Sequence, residues 1–362
     1  MESVAGHTMR GAILPGNSTV EIREFPVPKP GPGQVLIKVR ASSICGSDIR
    51  CIYREHLGKG PEGYQPGTIA GHEPAGEIVE VGPGVKQRKV GDRVIVYHIT
   101  GCGNCWDCRE GYLISCTSSK HRAAHGWQRA GGHAPYLVTE ENVCVPLADS
   151  LTFIDGAFCA CGFGTAWEAL TRMGIDGSTN LLITGLGPVG LAAAMLGKAL
   201  GAPLVIGTDL SEARLRRARA KGLVDHAFNV KKLREEEILS AICDLTGGHK
   251  CERSIDCSAA PSARVLALKG TRRWGRCAFV GEGNNVDFQV SEVLIHNQLT
   301  LYGSWVTSTR HLEDLVEFLD RHRLHPEATS DPEFFFPLDQ IARAYELAAA
   351  GDCGKCCIVF GD

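Results

Sequence analysis

Cys102, Cys105, Cys108 and Cys116 fall within fifteen residues, spaced C-x2-C-x2-C-x7-C. Four thiolates so close in sequence suit a closed tetrahedral zinc site, which has no open position and is therefore structural. An iron–sulfur cluster uses similar runs of cysteine and is the rival reading. The glycine and polar residues between the cysteines fit a loop held together by metal rather than by a core. A second metal site would have to be assembled from distant residues. Cys45, in Cys45-Gly46-Ser47-Asp48, and His72, in Gly71-His72-Glu73, each sit beside a carboxylate of the kind that orients a metal-bound imidazole. His72 alone carries little weight, because a single histidine is more often a hydrogen-bonded structural residue.

A third group of residues points to a dinucleotide. Gly185-Leu186-Gly187-Pro188-Val189-Gly190 follows an apolar run and opens a helical one. The first glycine permits a tight turn, the second lets a pyrophosphate approach the backbone, and the third lets helix and strand pack closely. The helix N-terminus supplies N–H groups and the positive end of its dipole. Asp209 ends the next strand, where its carboxylate can accept hydrogen bonds from both adenosine ribose hydroxyls. An acid there repels a 2′-phosphate and favours NAD. Arg214 lies on the helix that follows and can sit beside the ribose, whereas Arg214, Arg216 and Arg217 together keep NADP open.

The elements that must position these residues fall into two textures. Up to about residue 162 the chain reads as an irregular, mostly antiparallel β domain. It opens with a loose tail over residues 1–8 and a first strand near Arg10 to Leu14. Val35, Ile37 and Val39 alternate against Lys38 and Arg40, as in a half-buried strand. Beyond it, strand and helix signals alternate. Strands are expected at Asn180 to Thr184, Leu204 to Thr208, Ser254 to Cys257, Cys277 to Val280 and Thr300 to Tyr302. Helices are expected at Leu191 to Leu200, at Ala263 to Leu268, and from Ser211 as cap to Lys221. Such alternation predicts a parallel sheet with helices on both faces. A last helix near Leu338 to Ala349 and a strand at Cys356 to Phe360 can close either domain.

Bulk properties set limits on function. A chain of 362 residues is long enough for two domains, and 44% hydrophobic with 22% charged residues is a globular composition. A formal net charge of -3 gives no general attraction to nucleic acid or anionic membranes. No run approaches the roughly 20 apolar residues of a membrane span, and no leader segment is evident, so a cytoplasmic location is expected. In a reducing compartment, sixteen cysteines mean metal sites and small buried hydrophobes rather than a disulfide scaffold.

The motifs together carry a resemblance. Gly71-His72-Glu73-Pro74-Ala75-Gly76, continuing through Gly82 to Val85, resembles the G-H-E-x2-G-x5-G-x2-V signature of medium-chain zinc alcohol and polyol dehydrogenases. The four-cysteine lobe and the later glycine motif follow in that family's order. The resemblance implies a GroES-like, mainly β catalytic domain (residues 1–162 and 306–362) and an α/β Rossmann cofactor domain (residues 163–305). It implies two zinc ions per chain, with Cys45, His72 and Cys161 as ligands of the catalytic one. Cys161 matches the family's C-G-F-S-T-like context and Cys159 does not. The Cys-Gly-Ser-Asp start is polyol-like, whereas cysteine as third ligand is alcohol-dehydrogenase-like.

By the same resemblance Asp48 orients His72, Glu73 is the acid that can swing toward the metal, and Ser47 takes the proton of the alcohol. Thr165 and Ser304 fall where the family contacts nicotinamide. The activity implied is hydride transfer between NAD and a primary alcohol, secondary alcohol or polyol, through an alkoxide held on zinc. Arg50 stands where many members have a relay histidine, and arginine does not release its proton in this range, so His56 is considered as an alternative. Tyr97, His98, Trp127 and Trp305 are candidate pocket walls. A homotetramer or homodimer is also implied. An NADP-linked carbonyl or alkene reductase and a non-catalytic nucleotide-binding protein are the alternatives, and the intact ligand set argues against both. Cys353, Cys356 and Cys357 read as thiols around a terminal strand, and His121, His125 and His133 as loop residues.

Overall fold

The chain divides into two units, Met1–Gly164 with Thr307–Asp362, and Thr165–Val306, in a computed structural model that describes residues 6–54, 63–118 and 120–361. The first unit is built on a seven-stranded sheet in the order Phe335–Phe336, Cys357–Val359, Gln34–Ser43, Glu73–Val81, Arg93–Val96 and Cys144–Pro146, with Tyr136–Glu140 also paired to Gln34–Ser43. The pair formed by Phe335–Phe336 and Cys357–Val359 is parallel, and the other neighbours are antiparallel. This is the GroES-like, mainly β unit.

Gln34–Ser43 is more deeply buried than its alternation suggests. Val35, Leu36, Ile37 and Val39 are all fully buried. The strand is flanked on both edges, and Leu36 packs with Met9 of the hairpin of Thr8–Ile13 and Glu21–Pro26 and with Val27 just beyond it. Both faces of the strand are therefore covered, which is what local periodicity cannot report. Gly76 marks the closest approach in the sheet, because a Cβ there would lie 2.2 Å from the Lys38 carbonyl oxygen. Helix Phe153–Phe158 packs against this sheet. It starts in a capping box, with the Thr152 hydroxyl accepting from the Asp155 N–H and the Asp155 carboxylate accepting from the Thr152 N–H.

The second unit is a Rossmann sheet of six parallel strands, in the order His226–Asn229, Val205–Asp209, Leu181–Thr184, Cys251–Asp256, Thr271–Phe279 and Thr300–Gly303. Helices cover both faces. A Cβ on Gly197 of helix Pro188–Ala199 would lie 2.5 Å from Leu181 Cδ2. Leu182, pointing the other way, packs with Ile238 and Ile242 of helix Glu235–Leu245 and Leu266 of helix Pro261–Lys269. The chain winds outward in opposite directions from Leu181–Thr184, so its C-terminal end is the topological switch point at which doubly wound sheets bind ligands. Among the described residues no helix is long and apolar enough to cross a membrane.

Candidate metal and dinucleotide sites

Register brings the first constellation together. Strand Gln34–Ser43 pairs with Glu73–Val81 so that Ser43 faces Glu73, while Cys357 faces Ser43 on the other side. Cys45 follows the first strand as N-cap of the short helix Gly46–Asp48, and His72 immediately precedes the second. Gly71 allows that entry, at φ +87°, with the His133 ring against it where a Cβ would be. Cys161 comes from the π-helical turn Cys159–Phe163 that continues helix Phe153–Phe158. One ligand atom each from Cys45, His72, Glu73 and Cys161 lie within 4.8 Å of one another. Asp48 ties the set together: one carboxylate oxygen accepts from the Cys45 N–H at 3.0 Å and the other meets His72 Nδ1 at 2.7 Å. With Nδ1 engaged, Nε2 is the nitrogen left to bind a metal.

The electrostatics favour a cation at this point. Burial alone would lower the His72 pKa, but the Asp48 carboxylate and Cys45 outweigh it and raise it well above the ordinary imidazole value. The Cys161 thiol, hydrogen-bonded to Cys45, lowers the Cys45 pKa and raises its own. Burial pushes the fully buried Glu73 up to about 7, against the pull of Lys355. Lys355 Nζ lies 2.6 Å from Glu73 Oε2, and the Ser43 hydroxyl donates to the same oxygen. Glu73 Oε1 is buried with no hydrogen-bond partner. Two thiols, one oriented imidazole and an orphaned carboxylate oxygen form a donor set that fits zinc.

The second constellation is closed and local. The Cys102, Cys105, Cys108 and Cys116 sulfurs lie within 4.8 Å of one another. Backbone N–H groups aim at them: Cys102 N donates to Cys116 Sγ at 3.3 Å, Cys105 N to Cys102 Sγ at 3.3 Å, and Ser118 N to Cys116 Sγ at 3.5 Å. Hydrogen bonds of this kind, from the Cys108 and Thr117 N–H groups, bring Cys105 down to about 6, whereas burial pushes Cys108 up to about 12. Donors turned toward sulfur stabilise thiolate, the form that binds zinc. Among the described residues no carboxylate joins this group.

In the second unit, Gly185 follows strand Leu181–Thr184 at φ +92°, and a Cβ there would meet Ser258 at 2.6 Å. A Cβ on Gly190 would fall 1.9 Å from the Gly185 carbonyl oxygen. The helix begins at Pro188, three residues before the first expected one, because proline needs no N–H partner at the first helical position. Gly187 is its N-cap, and no side chain caps it, which leaves a helix N-terminus for an anion such as pyrophosphate. Asp209 accepts from the Leu186 N–H at 2.7 Å and the Ser211 N–H at 2.8 Å, with the Arg214 guanidinium 3.6 Å away. Thr165 and Ser304 are both buried in this unit, and Ser304 Oγ has no hydrogen-bond partner. A glycine loop, a free helix end and an orphaned hydroxyl fit a dinucleotide.

Other expectations fare unevenly. His98 and Trp127 flank His72, with ring centroids 5.0 and 5.6 Å away. Tyr97 is no pocket wall: it is fully buried and its hydroxyl donates to the Thr307 carbonyl at 2.7 Å. His125 and His133 lie outside the named strands and helices, yet both are buried, His125 bonded to the Ala130 carbonyl and to Thr139. Trp305 is exposed, and Arg50 lies in the π-helical segment Ile49–Tyr53. His56 lies outside the described residues. Sequence reasoning missed Lys355 and Ser43. A lone lysine among three cysteines before a terminal apolar strand was the available signal for the first.

Comparison with known proteins points to one family. The alcohol dehydrogenase GroES-like domain matches residues 31–149 and the zinc-binding dehydrogenase family residues 188–321. The chain is 46% identical over 358 residues to the uncharacterized zinc-type alcohol dehydrogenase-like protein YphC of Escherichia coli K12, covering 98% of this chain and 99% of that one. It is 34% identical to the L-threonine 3-dehydrogenase of Pyrococcus horikoshii, over 92% of this chain and 93% of the other. It is 31% identical to the sorbitol dehydrogenase of Bacillus subtilis, over 84% of each.

Proposed function

The chain belongs to the medium-chain zinc alcohol dehydrogenase family, and on that premise we propose that it interconverts a secondary alcohol and its ketone with NAD as the hydride carrier. The observation that carries the reading is the meeting of Cys45, His72, Glu73 and Cys161 within 4.8 Å. Cys45, His72 and Cys161 would hold the catalytic zinc, and the four-cysteine lobe would hold a structural one. Bound zinc supplies Lewis acidity, which lowers the pKa of an alcohol toward neutrality. NAD supplies the hydride acceptor.

The protein's own groups do the rest. Asp48 fixes the His72 ring so that Nε2 is presented. Ser47, in the short helix Gly46–Asp48, takes the hydroxyl proton and passes it toward solvent. Two thiolates offset the metal's charge, which favours release of a neutral carbonyl product. Gly185, Gly187, Pro188, Val189 and Gly190 cradle the pyrophosphate. Asp209 accepts from the ribose hydroxyls and rejects a 2′-phosphate, while the Ser304 hydroxyl and Thr165 contact the nicotinamide end. Threonine bears its hydroxyl on a secondary carbon beside a polar substituent, and so do the inner carbons of sorbitol. The dehydrogenases of those names therefore point to a secondary alcohol of that kind. The polyol-like Cys45-Gly46-Ser47-Asp48 supports the same choice.

Rates of NAD and NADP reduction across simple primary alcohols, simple secondary alcohols, β-hydroxy amino acids and polyols test the proposal. Highest kcat/KM for a polar-substituted secondary alcohol with NAD is expected. Preference for a primary alcohol, or for NADP, would overturn the corresponding part.

A further inference from the structure

Cys353 and Cys356 lie outside both metal constellations, yet they are joined to one of them. Their sulfurs are 3.6 Å apart, in the loop between helix Ile341–Ala350 and strand Cys357–Val359. A disulfide bond is about 2.05 Å long, so closing it asks for a sulfur movement of roughly 1.5 Å. Cys353 is half-buried and reachable, and Cys356 is fully buried. Cys353 Sγ is held at 3.3 Å from the Leu347 carbonyl at the end of the helix. The loop is pinned elsewhere, because Gly354 sits against Ser330, whose hydroxyl donates to the Lys355 carbonyl at 2.8 Å.

What this loop touches gives the pair its consequence. The Cys356 carbonyl accepts from the Ile44 N–H at 2.9 Å, and Lys355 Nζ donates to the Ile44 carbonyl at 3.3 Å. Ile44 is the residue before Cys45. Lys355 also reaches Glu73 at 2.6 Å. The segment between the two thiols therefore holds both the backbone beside one proposed zinc ligand and the acid beside another.

We propose that Cys353 and Cys356 form a reversible disulfide that slows turnover by drawing Lys355 and Ile44 away from the Cys45 and Glu73 they hold. With glutathione disulfide as oxidant, the Cys353 sulfur attacks the glutathione S–S bond and releases one glutathione thiol. The Cys356 sulfur then attacks Cys353 in the mixed disulfide and releases the second. Two protein thiols are oxidised, one glutathione disulfide is reduced to two thiols, and the protein's two protons leave with them. The effect on turnover rests on the proposed catalytic function, whereas the bridge itself does not.

The test treats the zinc-loaded protein with glutathione disulfide and follows peptide masses, zinc content and turnover together. The expected result is loss of two hydrogens from the peptide carrying Cys353 and Cys356, with zinc retained. Turnover should fall about tenfold, the scale of losing an outer partner of a metal site, and recover with dithiothreitol. Cys353→Ser should keep its starting turnover and resist the oxidant, and Cys356→Ala should behave alike. Thiols 353 and 356 remaining reduced, or a bridge with unchanged turnover, would overturn the proposal. So would zinc lost in step with activity, or equal inactivation of Cys353→Ser.

Discussion

The two cysteine-bearing constellations are made in opposite ways. The lobe of Cys102, Cys105, Cys108 and Cys116 takes all its sulfurs from one short segment, with backbone N–H groups as their outer partners. The constellation of Cys45, His72, Glu73 and Cys161 collects side chains from three distant segments, two at the ends of paired strands and one from a helical turn packed near them, with Asp48, Ser43 and Lys355 behind them. A local site has little besides metal to hold its loop, so metal is part of its folding energy. A site assembled by a sheet is held by the sheet, and its metal is free to serve chemistry.

The comparison can be broken first at the assembled site. His72→Ala should lower kcat/KM by at least roughly 10^3-fold, since the several kcal/mol a Lewis acid contributes translate to that scale. The folded fraction should still bind NAD, which a titration would read. Turnover within tenfold of the parent would mean that the constellation is not catalytic.

At the lobe the effect should reverse. Cys105→Ser should cost about 2–4 kcal/mol, lowering the melting temperature by roughly 5–10 °C, while the folded fraction keeps its turnover. A lobe variant as stable as the parent would remove the claim that metal holds this loop.

Finer changes sharpen the contrast. Asp48→Asn should weaken zinc binding at the assembled site by about 10–100-fold, read by competition with a chelator, and leave the lobe's zinc untouched. Trp106→Ser, beside Cys105 but 69% exposed, should change stability by no more than about 0.5 kcal/mol. A larger loss would mean that the lobe has a core of its own.

The same contrast explains what could be read from sequence. The lobe is legible because its ligands are a spacing, and the glycine loop because each glycine answers a local contact, such as Gly190 against the Gly185 carbonyl. His72 was weak alone and gained weight only from the family motif, since its meeting with Cys45 depends on strand register. Lys355 went unread because its partner Glu73 lies 282 positions away, and only the pairing of Cys357 with Ser43 brings them together. Within the fold, strand His226–Asn229 and helices Glu235–Leu245 and Thr309–His322 went unassigned. The last had a readable start, because Ser308 caps it through the His311 N–H. The first is four residues with a single buried side chain, too short for period to show.

Anomalous diffraction at the zinc edge, on crystals of the active protein, is the most direct test of the metal assignment. Two peaks are predicted, one among the lobe sulfurs and one bounded by Cys45 Sγ, His72 Nε2 and Cys161 Sγ. A single peak at the lobe, from crystals whose dissolved protein turns over normally, would contradict it.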